Sequence, residues 1–118
     1  MQMFREVPAV YVHRDPVDFR KSINGLSVIV EAEMGLSPLS GALFVFCNRK
    51  RDKLKLLYWD KSGFALWYKR LEQEKFKWPK RWPDAVITVQ EEQLHWLLSG
   101  LDIMRMQPHK VLQYSQVL

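Results

Sequence analysis

The sequence has little of what small catalytic and metal-binding domains are built from. It holds a single cysteine, Cys47, so no internal disulfide can form. The three histidines, His13, His95 and His109, are scattered without zinc-ligand spacing. Cys47 lies in an apolar run, where burial raises a thiol pKa, so a Cys/His nucleophilic pair is not expected. The five glycines stand apart, and none belongs to a phosphate-cradling loop. No stretch reaches the roughly 18 apolar residues of a membrane span. Met1-Gln2-Met3-Phe4-Arg5 leads into no apolar run, so no signal peptide is expected, and the cytoplasm is the expected location. The acids give no metal site either. A two-metal centre needs converging carboxylates, and nothing in the spacing of Asp52, Asp60, Asp84 and Asp102 forces convergence. No catalytic residue, metal or cofactor is expected.

What is present is a folding composition. The 118 residues are 47% hydrophobic and 13% aromatic, with five Trp. That is enough apolar surface for one core without disulfides or metal. A single domain is expected over residues 1–103, with 104–118 as a C-terminal tail.

Hydrophobic periodicity outlines the elements. Val10-Tyr11-Val12 reads as a strand. Asp15 as a cap and Pro16 at the first position predict a helix. Its apolar face is Phe19, Ile23, Leu26 and Val30, and Gly35 ends it. Gly25 inside the helix suggests close packing. Leu43 to Cys47 is a continuous apolar run, consistent with a central strand. Lys53–Trp59 and Phe64–Arg70 follow as strands around the turn Asp60-Lys61-Ser62-Gly63, which has type I chemistry. Phe76-Lys77-Trp78 reads as a short fourth strand before Pro79. Thr88 and Glu91 match a capping box, and Leu94, Leu97, Leu98 and Leu101 form the face of a second helix. The order is strand, helix, three or four strands, helix. The expected fold class is α+β: an antiparallel sheet of about four strands with two amphipathic helices packed on one face.

Charge is the feature that points outward. The net charge is +5. Residues 49–81 carry 12 Lys/Arg and 4 Asp/Glu, so this segment is +8 while the rest of the chain is −3. The basic residues are interleaved with Tyr58, Trp59, Trp67, Tyr68, Phe76 and Trp78. Cations neutralise phosphates and release counterions, and aromatic faces can stack on unpaired bases. The blander reading makes the aromatics core and the lysines a solvated face. The expected DNA-binding residues are Arg49, Lys50, Arg51, Lys53 and Lys55, extended by Lys69, Arg70, Arg20 and Lys21. Arg20 suits a phosphate because its planar fork grips two oxygens; its alternative is a salt bridge to Asp18 or Glu31.

Several motifs in order resemble a known family. They are Asp18-Phe19-Arg20-Lys21 with Gly25-Leu26; Leu43-Phe44-Val45-Phe46; Arg49 to Lys55; Trp59-Asp60 and Gly63-Phe64; Lys69-Arg70-Leu71-Glu72; Phe76 and Trp78-Pro79; and Gln93-Leu94 through Leu97-Leu98 to Gly100-Leu101-Asp102. Together they resemble the TnpB accessory proteins, or second-open-reading-frame proteins, of the sixty-sixth bacterial insertion-sequence family. The resemblance covers roughly residues 7–103. Glu74 departs from it, standing where the family often has Gly. The resemblance implies a role in transposition beside a separate transposase that carries the catalytic acids. It makes DNA, at the insertion-sequence ends, the expected polyanion and that transposase an expected partner. An adapter for the transposase without DNA contact is the alternative, and a small nuclease is a third reading. A strand edge on so short a chain also leaves homo-oligomer formation open. No membrane partner is expected.

Overall fold

The computed structural model describes residues 8–105. Seven elements follow in chain order: β1 (Val10–His13), α1 (Ile23–Ala32), β2 (Leu43–Cys47), β3 (Lys53–Asp60), β4 (Gly63–Arg70), β5 (Val86–Val89) and α2 (Glu91–Leu98). The strands form one five-stranded sheet in the order β4-β3-β2-β1-β5. The α+β class and the largely antiparallel sheet are as expected. One pair, β1 with β2, is parallel, with Val10 opposite Leu43 and Val12 opposite Val45. A parallel pair needs a long crossover, and α1 supplies it.

The apolar run of β2 explains the layering. All five residues are buried, and they alternate between two cores. Leu43, Val45 and Cys47 join Val10, Val12, Leu54, Leu56 and the α2 residues Leu94, Leu97 and Leu98. Phe44 and Phe46 join Leu57 and the α1 residues Leu26, Ile29 and Val30. The helices therefore cover opposite faces of the sheet, not one face as expected. A central strand that is apolar on both sides requires cover on both sides.

Four local expectations are also corrected. Residues 15–21 are not helical. Val17 donates its N–H to the Cys47 carbonyl (2.9 Å), and Arg20 N–H bonds the Asp18 carboxylate (2.9 Å), so α1 starts only after Ser22. Phe76-Lys77-Trp78 is not a strand but an irregular segment whose Phe76 and Trp78 are buried within the α2-side core. It is held by Phe76 N–H on the Arg51 carbonyl (2.7 Å) and by the Trp78 indole N–H on the His13 and Arg14 carbonyls (3.3 and 2.9 Å). The fifth strand is instead β5, which pairs antiparallel with β1, Val10 opposite Val89, at the opposite edge of the sheet from β4. Thr88 lies inside that strand. Gln90 caps α2 instead, its N–H donating to Gln93 Oε1 at 2.8 Å. The 60–63 turn is left-handed at Lys61 (φ 49°), unlike type I and in keeping with the twist of a two-residue hairpin. Inside α1, a Cβ at Gly25 would stand 3.0 Å from Lys21 Cβ, the close packing its position suggested. The expected tail lies outside the described residues beyond 105.

Candidate nucleic-acid interface

The β2–β3 turn is built on a buried asparagine. Asn48 Oδ1 accepts the Lys53 N–H (3.0 Å), and Asn48 Nδ2 donates to Asp52 Oδ1 (2.6 Å). Its carbonyl accepts the Arg51 N–H (3.1 Å). Arg51 takes a left-handed backbone (φ 62°) to close this turn. The Asn48 hydrogen bond lowers the Asp52 carboxyl pKa. The turn therefore projects Arg49 and Lys50, both exposed.

Opposite it lies the loop that leads into α1, and the two enclose an open groove. The groove measures about 570 Å³ and is lined by Pro16–Arg20 on one wall and by Asn48, Arg49, Lys50 and Lys53 on the other. Arg49, Lys50 and Lys53 have no carboxylate within ion-pair distance among the described residues. Arg20 does: its guanidinium grips the Asp18 carboxylate through Nε (2.9 Å) and Nη2. That bond, with Arg20's backbone N–H, holds the Asp18 pKa at about 2.

The other expected residues are sorted by strand geometry. Lys55 faces the α1 side. Its ammonium donates to the carbonyls of Phe19 (3.0 Å) and Lys21 (2.8 Å) and sits 4.8 Å above the Phe19 ring. Desolvation lowers its pKa. Lys55 therefore braces the groove wall from beneath. Lys21 is exposed beside the groove, with its carbonyl taken by Lys55. Arg70 pairs in register with Lys53 and so shares its face, with its guanidinium on exposed Glu72 (2.9 Å). Lys69 points to the opposite face, where its ammonium donates to the Leu98 carbonyl (2.9 Å) at the end of α2. Arg51 belongs to the far side of the turn, away from this groove. Sequence reasoning missed Asn48, which organises the turn; an Asn between an apolar strand and a basic run was the available signal.

The interleaved aromatics are mostly spoken for. Phe76 and Trp78 are buried, Tyr58 and Trp67 pack against the α2-side core, and Trp59 meets Phe64 edge-on at 5.1 Å. Tyr68, 49% exposed, is the open face among them. Cys47 is buried, and desolvation pushes its thiol pKa up to about 12, far from a nucleophile's. Among the described residues, no group of three or more His, Cys, Asp or Glu is placed to hold a metal ion. No helix among them is long and apolar enough to cross a membrane.

The fold and groove define a class: a small α+β domain, sandwiched by one helix on each face, with an open cationic cleft at one end of its sheet. The chain belongs to the family described as IS66 Orf2 like protein, whose model matches residues 8–108. This is a family of insertion-sequence accessory proteins. The chain is 35% identical over 108 residues to the uncharacterized protein y4jC of Sinorhizobium fredii, covering 92% of each. It is 37% identical over 93 residues to the uncharacterized protein y4hO of the same organism, covering 79% of this chain and 80% of that protein. No solved structure matches the chain.

Proposed function

We propose that the protein is a non-catalytic accessory of insertion-sequence transposition that binds DNA by its backbone. The observation that carries this reading is the groove itself. Arg49, Lys50 and Lys53 line it without a carboxylate partner among the described residues. Elsewhere on β3 and β4, Lys55 and Lys69 are tied to backbone carbonyls. Cations left unneutralised on a rigid turn are suited to phosphates. Arg20, Lys21 and Arg70 extend the surface at its margins. The scarcity of open aromatic faces favours duplex backbone over stacked single strands. The test is fluorescence anisotropy against a duplex carrying an insertion-sequence end and against a scrambled duplex, across a salt series. Steeply salt-dependent binding supports the reading, and tighter binding to the end sequence makes the protein an end-recognition factor. No binding at low salt, where electrostatics are strongest, overturns it.

A second reading, an adapter for the element's transposase, is favoured by one observation. β4 is an eight-residue strand at the edge of the sheet, with Tyr68 exposed upon it. Such edges accept strands from other chains. Co-purification with the transposase that survives nuclease treatment, and is lost on Tyr68→Lys, supports this reading; failure to co-purify overturns it.

A further inference from the structure

We infer that the cationic groove is one half of a longer track. The track wraps around the end of β2 and continues on the loop 78–84, so that a single nucleic-acid backbone is held on both sides of the sheet. The inference rests on the phosphate-binding reading above and extends it to Arg51, Lys80 and Arg81, none of which lines the first groove.

The first observation is continuity. The groove shares Pro16, Asn48 and Arg49 with a second hollow of about 160 Å³, which adds Arg14, Arg51, Trp78 and Lys80 to its walls. That hollow shares Trp78 and Lys80 with a third cleft of about 410 Å³, which adds Arg81 and Arg105. The first cleft touches the α1-side core through Val17 and Phe19, whereas Trp78, in the other two, belongs to the α2-side core. The path therefore turns the corner of the sheet at the end of β2.

The second observation is how the loop is fastened. Trp78 anchors it to the His13 and Arg14 carbonyls. Arg14 Nη1 reaches back to the carbonyls of Trp82 (3.0 Å) and Pro83 (3.2 Å). Between these two ties a tight turn, closed by Trp82 N–H on the Pro79 carbonyl (3.2 Å), presents Lys80 and Arg81 to solvent. The Phe76 N–H on the Arg51 carbonyl joins this segment to the β2–β3 turn. Two adjacent cations on a loop tied at both ends lose little freedom when they bind.

The third observation is charge. Arg51, Lys80 and Arg81 have no carboxylate within ion-pair distance among the described residues. Arg14 and Arg105 are paired with Asp15 and Asp102 and serve as structure rather than as free cations. The unneutralised cations therefore form a file from Lys53 through Arg49 and Arg51 to Arg81.

The experiment uses the full chain and a fluorescent duplex. It compares the wild type, Arg49→Ala/Lys50→Ala, Lys80→Ala/Arg81→Ala and the quadruple variant by anisotropy over a salt series. Thermal midpoints check that each variant folds, as these exposed positions should allow. Each pair is expected to flatten the log–log salt slope by about 1.8, since each phosphate contact contributes roughly 0.9. The quadruple variant should lose about twice that, at one duplex per chain. If Lys80→Ala/Arg81→Ala keeps the wild-type slope while the other pair flattens it, the track ends in the first groove, and the phosphate reading stands without this extension. A slope lost at Lys80/Arg81 alone, or two independent duplexes per chain, also overturns continuity. If neither pair changes the slope, the phosphate reading itself falls and takes the inference with it.

Discussion

Asp18 is the acid that stands inside a cationic groove, and its position sets a limit on what Arg20 can do. The carboxylate accepts both the Arg20 backbone N–H and the guanidinium. With its pKa held at about 2 by those bonds, Asp18 stays charged at any pH used for binding, so acidification does not release Arg20. Substitution does. Asn keeps the oxygen that accepts the backbone N–H and removes the charge that competes with a phosphate. Asp18→Asn should therefore tighten duplex binding several-fold and steepen the salt slope by about one phosphate, roughly 0.9, with the fold unchanged. Anisotropy over a salt series reads both. Weaker binding would show that the pair, intact, is what positions the loop.

At the level of elements, adjacent residues of one strand do opposite work, because side chains alternate faces. Lys69 and Arg70 are neighbours in β4, yet Lys69 closes the end of α2 while Arg70 lies on the groove side. Lys55 sits one strand over on the groove side, but it is turned down onto the Phe19–Lys21 loop. These two lysines act as struts. Lys69→Met should cost about 1 kcal/mol of stability, from the lost helix-end contact, and leave the salt slope unchanged. Lys55→Met should cost about 2 kcal/mol, since a charged donor serves two carbonyls. It should also weaken binding, because the loop carrying Arg20 loses its support. Denaturant unfolding paired with anisotropy separates the two effects.

The same alternation shows why the site was only half legible in the sequence. Charge counting located the basic segment, and the β2–β3 turn with Arg49 and Lys50 fell where the polar break between apolar runs put it. Counting could not tell a free cation from one bonded to a distant carbonyl. Phe19 and Leu98, the partners of Lys55 and Lys69, are remote in sequence. The fold was legible where the apolar pattern was strong: the helical period of α1 from Ile23 onward, the unbroken run of the central β2 and the β3–β4 hairpin. It was lost where a short run had two readings. Thr88 fits a cap as well as a strand, and Phe76 and Trp78 alternate inward as a strand would, but without a neighbouring strand to bond. The apolar stripe of α2 showed that the helix needs a face to cover, not which face.

Across the whole molecule, β1 is the strand on which distant parts of the chain meet. It takes β2 on one side, with α1 between them in sequence, and on the other it takes β5, from far along the chain. The loop 78–84 hangs from the same strand through Trp78 and Arg14. Closing so long a stretch of chain is entropically unfavourable, and a four-residue edge strand offers few bonds to offset it. The β5 edge and its loop should therefore form a unit that opens before the rest of the sheet. Hydrogen exchange by mass spectrometry should show β5 amides exchanging well ahead of those in β2, which exchange only when the entire domain unfolds. A ligand that ties the β2–β3 turn to the 78–84 loop would clamp that unit shut, and its signature would be slowed exchange in β5, a strand the ligand itself never touches.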